Sequence, residues 1–342
     1  MQSALGFPED LRPEPAQRPD QALEAQRASC QFYIDLAAGV YNLGRHEEAM
    51  GYLTRAVALA EDLGRREPVL AAALNALGVL NCRSGRLTTA ERNLRRAVAI
   101  YERASGQMHP KLGVALFNLA GTYKLQHRYD LAVTEYERAL IITEHGSDPS
   151  RPEVADVLDM LGEVYIAAGR RSAALFALRR SLSIKEATLG PNDWATAVTL
   201  GKLGEFYLSG GRYNEAEPLL MRALGIKRTF LGEDDPALVR DMKRLAYTYS
   251  AQHKFYEAEA LFASALAMLK RALGTRHPDI IRGIQELART YREEARFTDT
   301  KQLLEVSLAI VEKVLAPDHP DAEAAIEFYA EMLRVLNLGA AV

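Results

Sequence analysis

Six prolines, Pro68, Pro110, Pro152, Pro236, Pro278 and Pro320, stand 42 residues apart or twice that distance, and Trp194 fills the one vacant slot in the series. A fixed period in this range marks one supersecondary unit copied along the chain. Each copy buries its apolar face against its neighbours. This constrains the fold more than any other feature of the sequence, and it argues against a globular enzyme built round one unique core.

Other columns keep the same period. Tyr123, Tyr165, Tyr207, Tyr249 and Tyr291 form one, and Leu119, Leu161, Leu203, Leu245 and Leu287 precede them by four residues. Between leucine and tyrosine lies a small residue: Ala120, Gly162, Gly204, Ala246 or Ala288. Nine residues after the tyrosine come Ala132, Ala174, Ala216, Ala258 and Thr300, and seven later a further small residue. Gaps of three, four and seven are helical spacings. A small residue on the apolar stripe lets a second helix approach closely.

Each unit is therefore expected to be a pair of antiparallel helices, A and B. In the sixth copy helix A should run from Pro236 to Gln252 and helix B from Phe255 to Leu273. The turn between them carries a basic residue in every copy, from Arg45, Arg86 and Arg128 to Arg170, Arg212, Lys254 and Arg296. Glycine precedes it at Gly44, Gly85, Gly169 and Gly211, as expected where a helix ends in a left-handed residue. Units join through segments such as Gly232 to Pro236, where a polar residue caps the next helix and proline takes its first turn.

The leucine, small residue, tyrosine and alanine pattern resembles the tetratricopeptide repeat. The 42-residue length, with Tyr213 to Glu217, Arg222 to Leu224 and Leu231 to Pro236, resembles the longer kinesin light chain type, which is also common in bacterial proteins. The resemblance covers about residues 27–336. It implies an all-α, right-handed solenoid of about seven repeats, near 21–67, 68–109, 110–151, 152–193, 194–235, 236–277 and 278–319. A capping helix at 320–338 should close the array, with a proline-rich arm at 1–20 before it. The apolar end, with Leu333, Leu336 and Leu338, offers a surface for a partner or a second copy of the chain.

Net charge is −3 and hydrophobic content 48%, which suits a large core and gives no electrostatic case for nucleic acid. No apolar run reaches the length needed to span a bilayer. The arm holds Pro8, Pro13, Pro15 and Pro19 among charges and lacks a signal-peptide core, which points to the cytoplasm. Cys30 and Cys82 fall in different repeats, and a disulfide is not expected.

Catalysis and metal binding find no motif. Of seven histidines, His109, His277 and His319 precede prolines where other copies use Asp193 or Asp235, as helix caps would. The others are His46, His127, His145 and His253, and His127 and His253 share the turn between helices A and B. Copies of one position are spread along the array, too far apart to share a metal. The chain reads as a non-catalytic protein with no cofactor.

What varies is a second stripe on helix A. With the tyrosine column as position 11, packing takes positions 4, 7, 8 and 11 and leaves 2, 5, 9 and 12. The resemblance implies that this stripe lines a peptide groove. The fourth repeat supplies Asp156, Asp159 and Glu163 to it, and the fifth Glu205. The sixth and seventh supply Arg240, Lys243, Arg282, Arg289 and Arg292, with Tyr247 and Gln285 between. Repeats two and three are less charged, with Ala72, Asn75 and Val79, then Val114, Phe117 and Lys124. In the kinesin light chain family asparagines hold the peptide backbone. Here Asn75 and Asn118 take positions 5 and 6, while Asp159, Gly201, Lys243 and Gln285 stand at position 5 elsewhere.

Two readings of the stripe are open. Its charges could be solvated faces clustered by chance, or a groove with an acidic middle and a basic C-terminal half. In the second case the arginines hold an acidic partner segment, and Phe117 and Tyr247 are apolar anchors. The function expected is that of an adaptor or scaffold for a protein or peptide. The alternatives are a receptor for a short signalling peptide and an accessory subunit of an enzyme or membrane complex.

Overall fold

The computed structural model of the protein describes residues 19–64, 67–146 and 151–273. Twelve α-helices and no strand occur among them. They are α1 (Pro19–Asn42), α2 (His46–Leu63), α3 (Pro68–Arg83), α4 (Leu87–Ala104), α5 (Pro110–Leu125) and α6 (Tyr129–Gly146). Then follow α7 (Pro152–Ala167), α8 (Arg171–Thr188), α9 (Trp194–Leu208), α10 (Tyr213–Leu231), α11 (Val239–Ala251) and α12 (Phe255–Leu273). Odd-numbered helices are the A helices and even-numbered ones the B helices of an all-α repeat fold. The seventh repeat and the capping helix lie outside the described residues.

The helices start where the 42-residue register places them. Proline occupies the first turn of α3, α5 and α7. His109 and Asp193 cap α5 and α9, their side chains accepting the amides of Lys111 and Ala195. The expected cap role of His109 therefore holds, and His277 and His319 lie outside the described residues. The sixth helix A differs in one respect. Its first turn is a 3₁₀ turn, Pro236–Leu238, capped by Asp235, before α11 begins.

Each A helix among the described residues ends in a Schellman closure. In the third copy the Arg128 amide bonds the Tyr123 carbonyl at 2.9 Å and the His127 amide bonds Lys124 at 3.0 Å. The residue between takes positive φ: Gly44, Gly85, Gly169 and Gly211 at 69° to 77°, but His127 and His253 at 59° in the third and sixth copies.

The small column sets the distance between helices. A Cβ on Gly78 would lie 2.6 Å from Leu94 Cγ, and one on Gly204 would lie 2.6 Å from Leu220 Cγ. In the third and sixth copies the column holds alanine, and the facing residue is a flat ring, Tyr136 or Phe262. Ala246 and Phe262 share one buried cluster with Ala258 and Leu266.

The chain divides into two units, Met1–Ala177 and Leu178–Val342. In the first, α1 packs on α2, α3 on α4 and α5 on α6, each pair leaning on the next A helix. Successive A helices also touch, α1 with α3 and α3 with α5. In the second unit α9 packs on α10, α11 on α12, and α9 touches α11. One side of each unit is thus a continuous face of A helices.

Candidate partner-binding face

In the first unit the A-helix stripe runs over α3, α5 and α7. Asn118 Nδ2 donates to Asn75 Oδ1 at 3.0 Å, so the two half-buried asparagines join repeats two and three through each other. Phe117 is half-buried and meets Tyr136 of α6 edge-on, with centroids 5.3 Å apart. Lys124 of α5 binds Glu163 of α7 at 2.5 Å. Burial, helped by the negative charge of Glu163, pushes the Tyr136 phenol well above its ordinary value.

The acidic residues of α7 do not form an open patch. Asp156 is exposed, but Asp159 is only 2% exposed, which departs from the expectation of a groove-lining carboxylate. Glu163 is already neutralised by Lys124.

The second unit repeats this cross-repeat pairing. Glu205 of α9 is exposed and bonds Arg244 of α11. Arg244 is also 3.4 Å from Asp241, which receives Lys227 Nζ of α10 at 2.6 Å. Lys227 and Asp241 are both buried, and they pack over Gly201, where a Cβ would lie 3.7 Å from Asp241 Oδ1. Trp194 stands at the N-terminus of α9, its ring centroid 6.0 Å from Lys227 Nζ and 5.9 Å from the ring of Phe230.

Further along the stripe Arg240 and Tyr247 are exposed and Lys243 is half-buried. Tyr247 meets Phe262 edge-on at 5.2 Å. Phe117 and Tyr247 are therefore braced alike, each by a helix-B ring at the same repeat position. Arg282, Gln285, Arg289 and Arg292 lie outside the described residues.

Sequence reasoning missed the Lys227–Asp241 pair and the Trp194–Phe230 contact. Trp194 did signal itself by breaking the proline column. Among the described residues no group of three histidine, cysteine, aspartate or glutamate side chains is placed to hold a metal, and no helix is long and apolar enough to cross a membrane.

The Tetratricopeptide repeat family model matches residues 28–103, 111–187, 195–271 and 242–313. Among solved structures, the nearly identical TPR-like repeats of kinesin light chain type from Podosopora anserina are 25% identical, with a TM-score of 0.56 over 60% of this chain and 98% of that one. BtubC from P. vanneervenii is 25% identical, with a TM-score of 0.55 over 74% of this chain and 93% of that one. Pseudomonas aeruginosa pilF, 20% identical with a TM-score of 0.52 over 72% of this chain and 93% of that one, shares the fold. No curated protein matches the chain. The repeat register, the paired helices and the matched segments together place this chain in the tetratricopeptide repeat family, whose fold is a general scaffold for protein–protein interaction.

Proposed function

We propose that the chain is a non-catalytic cytoplasmic adaptor that binds a partner peptide or protein along its A-helix face. An acidic segment of the partner lies over α11, and Arg282, Arg289 and Arg292 are further candidates to bind it. The observation that carries this reading is the stripe of α11, where Arg240 and Tyr247 are exposed on one face with Lys243 half-buried between them. An arginine can take a carboxylate in a bidentate pair, and a braced tyrosine loses little rotamer freedom on being covered.

The test is a titration of the full chain with an acidic peptide, comparing wild type with Arg240→Glu combined with Tyr247→Ala. Two lost anchors should weaken binding at least about tenfold. Helicity should not change, while loss of the Tyr247–Phe262 contact should lower the melting temperature, so affinities are compared at a temperature where both chains are folded. Unaltered affinity in the folded variant would remove the assignment.

A further inference from the structure

In the first unit a cleft of about 310 Å³ opens between α5, α6 and α7. Val114, Phe117 and Ile142 line it, and the exposed carboxylates of Glu153 and Asp156 stand beside them. That volume is at the small end of ligand clefts and suits one large side chain. Two glycines border it. A Cβ on Gly113 would lie 3.1 Å from Ile142 Cγ2, and one on Gly146 would lie 3.7 Å from Pro110 Cγ.

The same place recurs 84 residues later, inside the second unit, with different side chains. Pro110 corresponds to Trp194, Gly146 to Phe230 and Thr143 to Lys227. There the two aromatic rings meet edge-on at 5.9 Å, and the ammonium beneath the indole is held 2.6 Å from Asp241. One copy of the site thus contains an aromatic group beside a cation bound to a carboxylate. The other has proline, glycine, threonine and valine (Val157 for Asp241) in place of the rings, the cation and its carboxylate, and its own carboxylates, Glu153 and Asp156, stand at the positions of Ala237 and Arg240.

We propose that this cleft docks an extended partner segment carrying an aromatic residue next to a lysine or arginine. The ring enters against Phe117 and Val114, which is 55% exposed without it. The cation reaches Glu153 first, since Asp156 already has a partner within the chain. Charge-assisted bonds at the rim favour the basic segment, and the same carboxylates repel an acidic one. The inference rests on the reading of the A-helix face as a peptide surface. It uses the other unit and the opposite charge, so the two can fail separately.

The experiment titrates the full chain into three fluorescein-labelled heptapeptides by anisotropy: Gly-Ser-Lys-Phe-Lys-Ser-Gly, its Lys-Ala-Lys analogue and its Glu-Phe-Glu analogue. The first should bind, and the other two should bind at least about tenfold more weakly, because one lacks the ring and the other the cation. Pro110→Trp combined with Gly146→Phe transplants the aromatic pair of the second unit and should abolish binding of the first peptide. Glu153→Lys, a surface change that leaves the cleft open, should weaken the first peptide and strengthen the acidic one. Equal binding of all three peptides, absence of binding, or affinity unchanged in both folded variants would overturn the proposal. So would a loss confined to Tyr247→Ala, which would place the peptide's ring on α11 and leave the broader reading standing.

Discussion

Arg128 closes α5 twice on the same residue: its amide bonds the Tyr123 carbonyl at 2.9 Å, and its guanidinium lies 4.8 Å from the centroid of the Tyr123 ring. Arg212 does the same to Tyr207 at 4.7 Å and Lys254 to Tyr249 at 5.5 Å. A Schellman closure brings these two positions together, usually with an apolar contact. Here a cation over an aromatic face supplies the contact, worth about 0.5–1 kcal/mol at an exposed site. The cation then continues to the preceding repeat, Arg128 to Glu91 at 2.8 Å and Lys254 to Glu217 at 2.7 Å. The tyrosine and basic columns thus act together to end the helix, and Arg128 and Lys254 also tie the turn to the unit before, whereas Arg212 bonds Glu215 of its own helix B.

That closure requires a left-handed residue, and histidine is a poor one. His253→Gly should stabilise the chain by about 0.5–1 kcal/mol, since φ of 59° costs an L-residue more than it costs glycine. His127→Gly should gain less, because His127 Nδ1 shares a hydrogen bond with Tyr129 Oη at 2.8 Å. Urea midpoints of the two variants check the order, and a loss of stability in His253→Gly would contradict it.

Gly204 faces Leu220 too closely for a methyl group. Alanine is the better helix former by about 1 kcal/mol, but overpacking costs about 1–3 kcal/mol. Gly204→Ala should therefore destabilise. In a Leu220→Ala background the same change should become neutral or stabilising, because the obstructing side chain is gone. A double-mutant cycle with no coupling would show that the close approach does not set the glycine.

Much of this was legible in the sequence. Proline, glycine and aspartate act through their own backbone, so the first turns, the caps and the Gly44, Gly85, Gly169 and Gly211 closures follow from residue type alone. His127 and His253 occupy the same column and could have been read as left-handed by register. The surface was harder. Lys124 with Glu163, and Glu205 with Arg244, are each 39 residues apart, and pairing them requires the placement of one repeat on the next. A stripe read helix by helix treats such charges as open when the neighbouring repeat has already neutralised them. Asp159, which the stripe pattern places with the surface carboxylates, is buried.

Alkaline pH should unfold the chain through its tyrosines. Burial pushes the Tyr101 phenol up to about 12 from the ordinary 10.0, and Tyr136 further in the same direction. Tyr165 is also raised to about 12, by burial and then by its bond to Glu137. The unfolded chain releases these protons from about pH 10 while the folded chain keeps them, so this stability is fully present below about pH 10 and is lost as pH rises towards 12 and above. Tyr101 and Tyr136 should each contribute a slope of about 1.4 kcal/mol per pH unit in that window. Urea midpoints on either side of about pH 10 check this, and Tyr136→Phe should make the decline shallower. An equally steep decline in that variant would exclude the buried phenol as its source.

The Lys227–Asp241 pair should show an asymmetry. Both groups are buried, so removing one leaves the other without its charge partner, at a cost of about 3–5 kcal/mol. The survivors differ. After Lys227→Met, Asp241 keeps Arg244 at 3.4 Å, whereas after Asp241→Leu the Lys227 ammonium keeps only the weaker attraction of the Trp194 face. Lys227→Met should therefore lie at the lower end of that range and Asp241→Leu at the upper end. Replacing both removes the desolvated charges together, and Lys227→Met with Asp241→Leu should recover most of the loss. Urea unfolding of the three variants separates these outcomes. Additive losses in the double variant would mean that the ammonium and the carboxylate do not depend on each other, and equal single losses would mean that Arg244 contributes nothing to Asp241.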